Sequence, residues 1–186
     1  SRGNAIVYYI ENSAGSFSVE TSYQIKDAYQ YASLWYYSDC IYDIASGDID
    51  ADGDVDTVFA YQQDHDGVTS NGGERFVIEL LSYSAGGLVK TELYNRTYAV
   101  IADWTTLVEL GDVDGDGDLD MIYSYGGLYN GGNALQTVKA AIMWNLGGTF
   151  STAIDLDPNS KLVQGGGTGG SLSLPFALAI GDFVGG

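Results

Sequence analysis

The sequence holds a single cysteine, a single histidine and two prolines in 186 residues. One cysteine excludes an internal disulfide framework and any metal site built from several thiolates. Cys40 lies in the apolar run Trp35-Tyr36-Tyr37-Ser38-Asp39-Cys40-Ile41-Tyr42, where a buried, inert thiol is expected. His65 stands in Gln62-Gln63-Asp64-His65-Asp66-Gly67 without a serine or cysteine nucleophile motif beside it. It reads as a solvated loop histidine rather than a general base, with Asp64 and Asp66 as turn residues. Basic residues are scarce as well: seven Lys and Arg face 25 Asp and Glu, a formal net charge of −18. Such a field repels nucleic acid and anionic lipid, so neither is an expected partner, and a bound cation is the natural counterweight. No apolar run approaches the ~20 residues of a membrane-spanning helix, so membrane insertion is not expected. Ser1-Arg2-Gly3-Asn4 does not resemble a secretory leader. The expectation is that a leader has been removed or that the sequence is a piece of something longer.

What is plentiful is glycine, with 26 residues, and tyrosine, with 15, in a composition that is 45% hydrophobic. That combination fits a turn-rich β protein and not a disordered chain, which needs low hydrophobicity. Helical periodicity is weak throughout; residues 21–37 are the one stretch able to hold a short helix.

Two segments are near copies. Gly47-Asp48-Ile49-Asp50-Ala51-Asp52-Gly53-Asp54-Val55-Asp56 runs into Thr57-Val58-Phe59-Ala60-Tyr61. Gly111-Asp112-Val113-Asp114-Gly115-Asp116-Gly117-Asp118-Leu119-Asp120 runs into Met121-Ile122-Tyr123-Ser124-Tyr125. A third beginning, Ala179-Ile180-Gly181-Asp182-Phe183, keeps only Asp182 of the carboxylates, and no metal site is expected there. Hairpins repeat too. Residues 5–10 and 16–21, 75–84 and 88–94, and 137–145 and 149–154 read as strand pairs around glycine turns. An apolar residue (Phe17, Val89 or Phe150) stands two places after each last turn glycine. A period of this size made only of strands predicts an all-β, propeller-type array of antiparallel blades, because one such sheet cannot bury its own faces. The expected divisions are a partial blade over 1–46, repeats over 47–110 and 111–180, and the start of a degenerate repeat over 181–186. About two and a half units fall short of the usual minimum of ~4 blades, so a fragment or part of a larger propeller is expected.

Aspartates at alternate positions of a tight turn aim several carboxylates at one point, and calcium takes roughly six to eight oxygen ligands. Side-chain ligation is assigned to Asp48, Asp50, Asp52 and Asp56, and in the second loop to Asp112, Asp114, Asp116 and Asp120. Asp54 and Asp118 are assigned a backbone carbonyl each, and Gly53 and Gly117 the sharp turn. Two structural calcium ions are therefore expected. An EF-hand fits less well, since its twelfth position, normally Glu, is Phe59 or Tyr123 and its flanks are β-type. The absence of His and Cys from both loops disfavours transition metals, and magnesium's strict geometry disfavours that ion. The bland alternative is an acidic solvated turn, which would leave five carboxylates in nine residues to repel one another twice over.

The pattern Gly-Asp-x-Asp-x-Asp-Gly-Asp-x-Asp followed by an apolar strand, at residues 47–61 and 111–125, resembles the FG-GAP/VCBS repeats. These are also found in integrin-α-like propellers and some fungal and bacterial lectins. The resemblance implies a β-propeller with structural calcium in its blade loops and a role in adhesion or recognition at the cell surface or outside the cell. The expected partner is then an extracellular protein or glycan, or further copies of the chain.

Other features have plain readings. Trp35 and Trp104 lie in irregular stretches and are candidate sugar-stacking platforms, whereas Trp144, inside a predicted strand, is a core candidate. Asn95-Arg96-Thr97 is an N-glycosylation sequon. The Gly-rich run 164–170 lacks the Lys-Ser/Thr of a phosphate loop and reads as an inter-strand loop. The best expectation is a non-catalytic extracellular module; the alternative is a polysaccharide-active enzyme domain, although no acid/base pair is identifiable outside the loops.

Overall fold

The computed structural model of the chain describes residues 6–24, 40–64, 74–84, 87–98, 107–126 and 138–156. Every regular element among them is a strand, and the strands form three antiparallel sheets, none of them closed. The first is a hairpin of β1 (Ile6–Ser13) and β2 (Ser16–Gln24). Its two-residue turn places Ala14 and Gly15 at φ +52° and +87°, the left-handed pair that matches strand twist. β2 extends to Gln24, so the start of the stretch considered for a helix is strand; residues 25–39 lie outside the described residues.

The second sheet is a four-stranded meander in the order β3 (Cys40–Gly47), β4 (Asp56–Asp64), β5 (Glu74–Ser84) and β6 (Gly87–Tyr98). The third repeats that plan with β7 (Val108–Gly111), β8 (Asp120–Gly126), β9 (Val138–Met143) and β10 (Ile154–Asp155). The aspartate loops are the β3–β4 and β7–β8 connections, closed by the equivalent pairs Gly47↔Asp56 and Gly111↔Asp120. The predicted return strand 149–154 is reduced to one bridge, Asn145↔Phe150, followed by the short β10.

The middle sheet is covered on both faces, which explains why 56–61 is buried at six consecutive positions instead of alternating. Val58, Ala60, Phe76, Ile78 and Leu80 face the third sheet and pack with Val108, Met121, Tyr123, Ala141 and Met143. Tyr94 joins this layer, with ring centroids 6.0 Å from Phe76 and 5.1 Å from Tyr123, in tilted arrangements favourable to aromatic quadrupoles. Phe59, Tyr61, Val77 and Leu81 point the other way and pack with Val7, half-buried Tyr9 and Ile41 under the hairpin. Each fully buried side chain of this size contributes ~1.5–3 kcal/mol of transfer free energy. The strands flanking the inter-sheet boundary also bond to each other: a register shift near Tyr42 accompanies an Asp43 carboxylate that accepts the Val108 N–H at 3.0 Å.

Within the middle sheet, a buried carboxylate is paired with a lysine. Glu79, on the hairpin-facing side of β5, is 2% exposed and pairs with Lys90 of β6 at 3.0 Å. Its second oxygen has no partner among the described residues. Trp144 differs from expectation: it lies just past β9 and is half-buried, because the chain turns there instead of continuing as strand. The three apolar residues after the turn glycines also part company, since Phe17 and Val89 are exposed while Phe150 packs against the core.

Candidate metal centre

Each loop is shaped by its own aspartates. In the first, Asp50 accepts the N–H of Asp52 at 3.3 Å and Asp52 that of Asp54 at 2.9 Å. Asp48 accepts the N–H of Gly53 at 3.1 Å across the turn. The second loop reproduces all three: Asp116 N–H to Asp114 at 3.2 Å, Asp118 N–H to Asp116 at 2.9 Å, and Gly117 N–H to Asp112 at 3.1 Å. These are short-range side-chain-to-backbone turns that the Asp-x-Asp-x-Asp-Gly pattern encodes locally. Their backbone demands are the same in both copies. Gly53 and Gly117 sit at φ +93° and +98°. The fourth loop position is also left-handed, as Gly115 in the second loop and Ala51, at φ +59°, in the first. A non-glycine residue there carries ~1–2 kcal/mol of strain.

The consequence is convergence. Carboxylate oxygens of Asp48, Asp50 and Asp52 lie within 4.8 Å of one another, and so do those of Asp112, Asp114 and Asp116. All six residues are exposed, and each trio could hold a metal ion. The donor set is purely oxygen and the loops open to solvent, which suits a hard divalent cation. Partial loss of hydration holds the Asp114 carboxyl above the usual carboxylate range, and the charges of Asp116, Asp120 and Asp112 push it the same way. The N–H that Asp116 donates to it pulls in the opposite direction. Because Asp114 is exposed, crowding by like charges is the more telling of these effects.

Asp56 and Asp120 occupy a different place. They open β4 and β8, are 0% and 1% exposed, and turn back on the loop. Asp56 accepts the Ile49 N–H at 3.0 Å and Asp120 the Val113 N–H at 3.0 Å, clamping the peptide between the first two aspartates of each loop. The other Asp120 oxygen accepts the Asn145 N–H at 2.9 Å. Asp54 and Asp118 contribute the N–H groups already named. Strands, not helices, flank both loops, and Phe59 and Tyr123 at the twelfth position are buried core residues, so an EF-hand is excluded here.

Sequence reasoning missed Asn145. It is 3% exposed and its amide nitrogen donates to the Ile49 carbonyl of the first loop at 2.8 Å and to the Leu119 carbonyl of the second at 3.3 Å. Its amide oxygen accepts the Gly148 N–H at 2.8 Å, which folds the 145–150 turn. That turn lies on the first loop: a Cβ on Gly148 would stand 2.8 Å from the Asp50 Cβ. Gly47 is pressed in the same way against Leu119. Asn after Trp144 and before a Gly-Gly turn carries no local signal of a role 96 residues away.

Of the other candidates, Asn95 is exposed on β6, where its side chain bonds to Glu92. Trp35, Trp104, His65 and Asp182 lie outside the described residues, and so does the 164–170 run. No protein-family model, no curated protein and no solved structure matches this chain.

Proposed function

We propose that the chain is a non-catalytic, calcium-binding recognition or adhesion module of the extracellular space or cell surface, built from propeller-type blades akin to FG-GAP/VCBS repeats. The observation that carries the reading is the pair of equivalent inter-strand loops, each bringing three exposed carboxylates to one point. Asp48, Asp50 and Asp52 would hold one calcium ion and Asp112, Asp114 and Asp116 the other, with backbone carbonyls of Asp54 and Asp118 as further oxygens. Asp56 and Asp120 keep each loop closed and retain lone pairs for the ion. Bound calcium supplies charge neutralisation and ties the incoming strand to the outgoing one; the residues need no chemistry beyond that.

Three features support blades as the scaffold: two four-stranded meanders of equal strand order, sheets stacked face to face, and first strands that bond at the boundary between sheets. Millimolar calcium outside cells suits an exposed site of moderate affinity. The partner class is an extracellular protein, a glycan or a further copy of the chain. Trp35 and Trp104 are the proposed stacking residues for a glycan and Asn95 the proposed glycosylation site.

Calcium titration of the chelator-treated protein by calorimetry tests the reading, together with melting temperature measured with and without the ion. Two sites and a raised melting temperature are expected, because a ligand bound only by the native state stabilises it. A protein that takes up no calcium at millimolar concentration, or melts identically once metal loss is verified, ends the proposal.

A further inference from the structure

We infer that Asn145 couples the two aspartate loops, so that a divalent cation held in one raises the affinity of the other; this rests on the calcium reading above and extends it to how the sites are regulated. An unbroken chain of hydrogen bonds joins them. Ile49 lies between Asp48 and Asp50, and its carbonyl accepts from the Asn145 amide at 2.8 Å. The backbone N–H of Asn145 donates to Asp120 at 2.9 Å. The second Asp120 oxygen holds the Val113 N–H at 3.0 Å, and Val113 lies between Asp112 and Asp114. The two end steps therefore each touch a peptide flanked by ligand candidates. Asn145 and Asp120 are 3% and 1% exposed, so water does not substitute for either in these bonds.

Two close approaches run in parallel: the 145–150 turn lies on the first loop at Gly148 and Asp50, and the Leu119 side chain of the second loop lies on Gly47. An empty loop crowded with like charges samples open shapes; a cation selects the closed one. Closing the first loop fixes the Ile49 carbonyl, hence Asn145, hence the Asp120 carboxylate on which the second loop folds. The ordering cost of the second loop is then partly met before its own ion arrives, which is positive cooperativity. Direct repulsion between two bound dications opposes this, but it is screened over a Debye length of ~10 Å at 0.1 M salt, whereas buried hydrogen bonds are not.

The test is calcium titration of the full chain by calorimetry, at low and at high potassium chloride, with circular dichroism as a check on folding. Wild type is expected to bind two ions cooperatively. Asp52→Asn, an exposed change, silences the first loop and should weaken binding at the second by about five-fold or more. Asp116→Asn should weaken the first loop by the same factor, since linkage is reciprocal. Asn145→Ser should keep two sites and abolish their cooperativity; if that variant does not fold, the two aspartate variants decide alone. Two independent sites in wild type, or an Asp52→Asn effect that disappears in high salt, overturns the coupling and leaves the calcium reading standing. No binding at all in wild type overturns both.

Discussion

Replacing a buried and an exposed aspartate of one loop should have different consequences in the absence of calcium. Asp120 is 1% exposed and accepts two backbone N–H bonds, at 3.0 Å from Val113 and 2.9 Å from Asn145. Bonds to a charged acceptor contribute ~1.5–3 kcal/mol each, and the donors left behind are shielded from water. Asp120→Ala should therefore cost about 3–5 kcal/mol, roughly a third or more of a typical domain's stability, already in chelator. Asp114→Asn keeps an acceptor for Asp116 and removes one of the charges that crowd the loop. In chelator it should leave stability unchanged or slightly higher. On the calcium reading, the ion at about a hundred times its dissociation constant should add ~2.7 kcal/mol per site to the wild type. Asp114→Asn should forfeit the share of that gain belonging to the second loop. Urea denaturation of the wild type and both variants, in chelator and in saturating calcium, measures all four quantities. If Asp120→Ala and Asp114→Asn lose equal stability in chelator, the division into clamping and ligating carboxylates is wrong.

Three further outcomes follow from other parts of the fold. Gly148→Ala should destabilise more than Gly115→Ala in urea: both positions are left-handed, at φ +89° and +83°, but only at Gly148 would the added Cβ stand 2.8 Å from the Asp50 Cβ; equal losses would show that the clash is not felt. Lys90→Met should cost about 1–3 kcal/mol by stranding buried Glu79, less than for a fully buried pair because Lys90 is itself 45% exposed. Adding Glu79→Gln should recover most of that loss in the same denaturation assay, and no recovery would refute the assignment. Burial raises the Tyr9 phenol above its ordinary 10.0, Asp56 raises it further, and a hydrogen bond to Thr57 lowers it. The unfolded chain thus ionises first, so the associated stability is complete below pH 10 and falls as pH climbs through the higher folded value. Melting curves of wild type and Tyr9→Phe across that alkaline range should diverge, and parallel curves would count against it.

The candidate site was legible because its geometry is local. Asp50 and Asp52, like Asp114 and Asp116, accept the N–H of the residue two places on, so spacing alone dictates the turn. The strands around it were legible for a similar reason, though not their ends: Trp144 was placed inside a strand that stops at Met143. Periodicity counts apolar positions and is blind to a side-chain bond, such as Trp144 N–H to Ser151 at 2.9 Å, that turns the chain early. The apolar residues that follow the turn glycines looked alike, yet Phe17 is 74% exposed while Phe150 packs against the core between the sheets.

Short-range chemistry in the sequence determined that the described residues are all-β, with two oxygen-lined, exposed turns that could each hold a metal ion. How those turns are joined was decided only by tertiary structure. Asn145 reaches Ile49 across 96 residues, and Asp43 reaches Val108 across 65. Buried Glu79 is likewise defined by layers laid on both faces of its sheet. Contacts of that span depend on how sheets stack, and stacking follows the sum of many weak apolar contacts that no single residue or spacing announces.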